Sequence, residues 1–104
     1  LLDNALAWAL VTRRDPTLNQ PARALGLVDR ALLALDTQLQ PAAPGARAAY
    51  LDTRAAALAA AGRLDEALAD QRRALAAIEA TDPAPEVLEH FRERLAKLEA
   101  ERLR

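Results

Sequence analysis

Residues 49–75, AYLDTRAAALAAAGRLDEALADQRRAL, constrain the fold more than any other stretch of this chain. Ala55, Leu58, Ala67 and Ala74 place small and large apolar side chains at helical spacing on either side of Gly62. The arrangement predicts two helices joined at a glycine stop, since an isolated Gly after a periodic run favours the left-handed conformation that ends a helix. Such a hairpin exposes its apolar face when alone, so it must pack against similar neighbours.

The remaining composition fits this reading. Of 104 residues, 52% are hydrophobic but only 3% aromatic, so the apolar content is mostly Ala and Leu, both strong helix formers. Strand-forming types are scarce, and the length suits one small domain covering 1–104. A net charge of −1 argues against a general affinity for nucleic acid, which normally shows as a basic balance. No run of about 18 apolar residues is present, so no membrane insertion is expected. The lack of cysteine excludes disulfides. The chain opens with Leu1 and Leu2, already inside an apolar helical pattern and without a signal-peptide arrangement, which reads as a segment cut from a longer protein.

Five helices are predicted, over about 1–13, 20–39, 46–61, 64–79 and 84–103. The first carries Leu2, Leu6 and Leu10 at helical spacing and ends before the turn at Asp15-Pro16. The second starts with Pro21 in a tolerated first position and repeats Leu25, Val28, Leu32, Leu35 and Leu39. Pro41, Pro44 and Gly45 break the chain before the third helix. Gly26, inside the second helix, is expected to ease close packing. Asp82 is expected to cap the fifth helix. That helix has a narrow stripe of Leu88, Phe91, Leu95 and Leu98 amid dense charge, with Glu93 and Lys97 at supportive spacing. It suits the end of a stack, one side wet.

On these residues the chain resembles the tetratricopeptide repeat, a hairpin of two antiparallel helices, A and B, in about 34 residues. Ala55, Leu58, Gly62, Ala67 and Ala74 match its pattern, Leu64 stands at its usual aromatic position, and Asp65-Glu66-Ala67 matches its opening of helix B. Repeat two then covers about 46–79. A looser repeat one covers about 1–39, with Leu6, Ala7 and Leu10 resembling helix A and Ala24, Leu25 and Ala31 resembling helix B. The chain departs from the pattern in the longer first turn and at Arg54, where the family has Leu. The whole is similar to the C-terminal repeats of bacterial members, which close with a single polar-faced helix. The resemblance implies an all-α, right-handed solenoid of stacked antiparallel hairpins. Helix A would line a concave face that binds a protein or peptide.

The groove residues follow from that arrangement: Asn4, Trp8 and Val11 from the first helix, and Ala49, Asp52, Ala56 and Ala59 from the third. Ala7, Ala24, Ala31, Ala55, Leu58, Gly62, Ala67 and Ala74 are the expected packing positions. The family's cationic cluster for a terminal carboxylate is missing, since Asp52, Ala56 and Ala60 stand there, so no chaperone-tail recognition of that type is expected. A shallow, Ala-lined groove would suit an apolar helix or an extended segment.

Catalytic groups are few. There is no Ser or Cys to act as nucleophile, and the single histidine, His90, is read as an exposed side chain pairing with Glu86. Neither a metal nor a cofactor is expected, because one His without Cys makes no zinc site and no Gly-rich phosphate loop occurs. The expected role is a non-enzymatic scaffold. The alternatives are self-association, including pairing of the fifth helix with its twin through Leu88, Phe91, Leu95 and Leu98, and a regulatory or targeting domain of a larger enzyme.

Overall fold

In a computed structural model describing residues 2–14, 16–37 and 43–104, five α-helices and one 3-10 turn account for the regular structure, with no strand among the described residues. The helices are α1 (Leu2–Val11), α2 (Pro21–Thr37), α3 (Ala46–Ala60), α4 (Leu64–Glu79) and α5 (Pro85–Arg102). The 3-10 turn, Pro16–Leu18, sits in the long connection after α1. The predicted positions of Leu1, Asp15, Leu39 and Pro41 lie outside the described residues.

Each helix packs on the next in chain order, and α1 additionally touches α3. Alanine makes these approaches close: Ala7, Ala24, Ala31, Ala55, Ala67 and Ala74 are all buried, as is Leu58. Three apolar clusters result. The first joins Leu10 and Val11 of α1, Leu27 and Val28 of α2, and Tyr50 and Ala57 of α3. The second joins Ala55 and Leu58 of α3, Ala67 and Leu68 of α4, and Leu98 of α5. The third joins Ala48 of α3, Ala74 and Ile78 of α4, and Phe91 of α5.

Gly62 ends α3 as expected, at φ +79°. Gly62 N–H donates to Ala59 O at 3.0 Å and Arg63 N–H to Leu58 O at 2.9 Å, the bond pair of a Schellman stop. Its role is in the backbone and not in packing, because a Cβ there would meet nothing within 4 Å. Gly26, contrary to expectation, is exposed and eases no contact, since a Cβ there would also meet nothing within 4 Å.

α4 has the predicted bounds, whereas α1 ends earlier than predicted, at Val11, and α5 is shorter than predicted at both ends. Asp82 is not the cap of α5. It adopts φ 54° in the turn, and the extended Ala84 precedes Pro85, whose missing N–H costs nothing at a helix start. The α5 stripe is used within the chain: Phe91 and Leu98 are buried, and Leu88 and Leu95 pack beside them. That face is therefore not open to a twin helix. Among the described residues Glu93 does not pair with Lys97, nor His90 with Glu86; the charges of α5 that pair reach other helices, Arg94 to Asp52 and Arg102 to Asp65.

Arg54, the misfit to the repeat pattern, joins three helices. Its Nε donates to Asp29 Oδ1 of α2 at 2.8 Å and its Nη1 to Asp70 Oδ2 of α4 at 2.6 Å. Arg73 Nη1 donates to the other oxygen of Asp70 at 3.0 Å. Burial works to lower the Arg54 pKa, but the bonds to Asp70 and Asp29 outweigh it and hold the group above its ordinary value. Asp70, only 1% exposed, is thus a buried carboxylate with both oxygens satisfied.

Candidate functional site

A cleft of about 480 Å³ opens between α1, α3 and α5. Trp8 and Val11 of α1 form one wall, continued by Thr12 and Asn19 of the following connection. That connection is fixed by its own bonds: Thr12 Oγ1 donates to Trp8 O at 2.7 Å, Arg13 N–H to Asn19 Oδ1 at 3.3 Å, and Gln20 N–H to Leu10 O at 2.8 Å. The first and third satisfy carbonyls that the end of α1 leaves without a helical partner. Asp52, Ala56, Ala59 and Ala60 of α3 form the floor, with Gln71 of α4 beside them. Arg94, Lys97, Leu98 and Glu101 of α5 form the opposite wall. The alanines of α3 create the space, since a larger side chain at 56 or 59 would fill it.

Five of the expected groove residues, Trp8, Val11, Asp52, Ala56 and Ala59, converge on this cleft, whereas Ala49 packs against the first apolar cluster instead. Asn4 does not line it. Asn4 is half-buried one turn before Trp8, and its Oδ1 is buried without a hydrogen-bond partner. Asp52 lines the cleft but is 7% exposed and already engaged, contrary to the expectation that it faces no neighbouring helix. Its Oδ1 accepts from Arg94 Nε at 2.6 Å and from Gln71 Nε2 at 3.0 Å. Gln71 Nε2 also reaches the carbonyl of Phe91 at 3.4 Å. Three helices thus meet at one carboxylate.

Arg94 is the residue that sequence reasoning missed, having placed it with the solvated charges of α5. It lies three positions after Phe91 and four before Leu98, at the border of the buried stripe, and that register was the available signal. Its guanidinium carbon lies 5.6 Å from the Trp8 ring centroid and 5.0 Å from that of Phe91, within the range of cation–π attraction. The only tryptophan is therefore neither a free platform nor a core residue. It is a half-buried wall carrying a cation.

The site's inventory is one of binding groups. It presents an aromatic face, small apolar side chains, hydrogen-bond donors and a paired charge, and no nucleophile stands beside a base. Among the described residues no group of three His, Cys, Asp or Glu side chains could hold a metal ion. No helix among them is long and apolar enough to cross a membrane. Set against family models, characterised proteins and solved structures, the chain matches none.

Proposed function

We propose that this chain is a non-enzymatic protein- or peptide-binding module of the tetratricopeptide type, a right-handed solenoid of stacked helical hairpins. Its cleft between α1, α3 and α5 receives a segment of the partner. The observation that carries the reading is the convergence of Trp8, Val11, Asp52 and Ala56 on one cleft. They are drawn from helices far apart in the chain and were expected at a concave face. The succession of helix contacts in chain order, with α1 also on α3, favours stacking. The lack of Ser and Cys and the exposure of His90 favour binding over catalysis. Burial of the α5 stripe weighs against association through that helix.

Selection of a random dodecapeptide phage library on the immobilised chain tests the reading, followed by calorimetric titration of the enriched peptides. The expected result is binding that is lost in Ala56→Glu, with far-UV circular dichroism unchanged. Ala60→Trp, at an exposed position of the cleft rim, serves as a second block if Ala56→Glu loses helix. A selection without enrichment, or peptides that bind both variants as well as the parent, would remove the reading.

A further inference from the structure

Resting on the peptide-binding reading, we infer the chemistry of the occupant. The cleft takes an extended segment of a partner protein that presents an acidic side chain to Arg94, with an apolar neighbour against Trp8 and the alanines of α3. Arg94 decides this. Its Nε is committed to Asp52 Oδ1, its plane is held near the rings of Trp8 and Phe91, and its side chain is still 33% exposed. Among the described residues its two Nη atoms donate to nothing. A guanidinium edge offers two parallel donors at the spacing of a carboxylate. Because the side chain is already anchored, little ordering entropy is lost when a ligand binds it.

The surrounding charges set the sign of the ligand. Asp52, the nearest carboxylate, is buried, and one oxygen takes both Arg94 and Gln71. Lys97, one turn along α5, is exposed and has no ion pair among the described residues. Glu101 is the other acid of the cleft, about 10 Å beyond Arg94 at the rise of an α-helix. A ligand therefore meets Arg94 beside Trp8, Lys97 one turn farther along α5 and the anion Glu101 at the far end. A basic side chain is repelled at Arg94 and Lys97. A wholly apolar segment would cover the Nη donors and leave them unpaired, which is costly. An acidic side chain satisfies them.

The selected peptides test this directly. Sequencing is expected to show Asp or Glu fixed at one position next to an apolar residue, and Glu→Gln at that position in a synthetic peptide should weaken binding about tenfold. Arg94→Gln should weaken the parent peptide similarly while leaving the Gln peptide unaffected. Lys97→Gln, which breaks no internal bond, should cost about threefold and reduce the salt dependence. The Glu→Gln comparison on the unaltered chain holds even if Arg94→Gln loosens α5. Peptides that enrich, lose binding in Ala56→Glu and carry no preferred acid would overturn this inference while leaving peptide binding intact. A selection without enrichment would overturn both.

Discussion

On one side of α3, Arg54 ties Asp29 of α2 to Asp70 of α4; on the other, Asp52 ties Gln71 of α4 to Arg94 of α5. Two positions apart, these residues point about 200° away from each other around the helix. The charge signs are exchanged. In the Arg54 network the cation sits between two acids and the deeply buried member, Asp70, has both oxygens bonded. In the Asp52 network the acid is buried and the cation lies at the cleft with its Nη edge unused. The first arrangement closes a seam between helices. The second leaves the Nη donors of Arg94 without a protein acceptor among the described residues.

The sharpest way to break this comparison is to remove Arg54. Arg54→Ala should destabilise the chain by about 3 kcal/mol in urea denaturation, because it leaves Asp70 buried with only the exposed Arg73. Replacing both partners, Arg54→Leu with Asp70→Leu, should return stability to within about 1 kcal/mol of the parent, since the pair offsets mainly its own desolvation. A double variant as weak as the single one would mean that the network does more than close a seam. Next in size, Ala67→Leu should overpack the α3–α4 contact that both networks straddle and cost about 2 kcal/mol. Ala76→Leu, on the exposed side of α4, should cost nearly nothing, and equal melting temperatures for these two would contradict the packing.

Asp52→Ala should cost less than Arg54→Ala, about 1–2 kcal/mol, because Arg94 can turn to water and Gln71 keeps the Phe91 carbonyl. A loss equal to that of Arg54→Ala would erase the difference drawn between the two faces. The smallest effect belongs to a charge pair in neither network. The bond from Arg63 holds the Glu66 carboxyl below its ordinary pKa of 4.5. A carboxyl lowered on folding stabilises above its unfolded pKa, and that contribution fades as pH falls through the folded value. Glu66→Gln should thus lower the melting temperature slightly at neutral pH, leave it unchanged well below about pH 4.5, and so flatten the fall between the two.

What could be read in the sequence was local. The bounds of α4, the stop at Gly62 and the burial of Ala55, Leu58, Ala67 and Ala74 follow from spacing and from conformational preferences within a few residues. The errors lie where distant partners decide. Arg54 departs from the repeat pattern until Asp29 and Asp70 are known, and those lie 25 and 16 positions away in the chain. Asp52 lines the cleft, but it is held there by Arg94, 42 positions on. Periodicity identifies the face of a helix and carries no information about which charge from another helix will arrive there. Asn4 was assigned by the same periodicity and lies one turn too early to line the cleft.

The three apolar clusters have one member in common. α3 contributes Tyr50 and Ala57 to the first, Ala55 and Leu58 to the second and Ala48 to the third, while α1 enters only the first, α2 the first with Leu25 also against the second, and α5 only the other two. The molecule is therefore built outward from a single axle. Amide hydrogens along α3 should therefore be the last to exchange with deuterated solvent. Because the cleft has α1 on one lip and α5 on the other, a segment entering it as proposed would bridge two helices that share no apolar cluster.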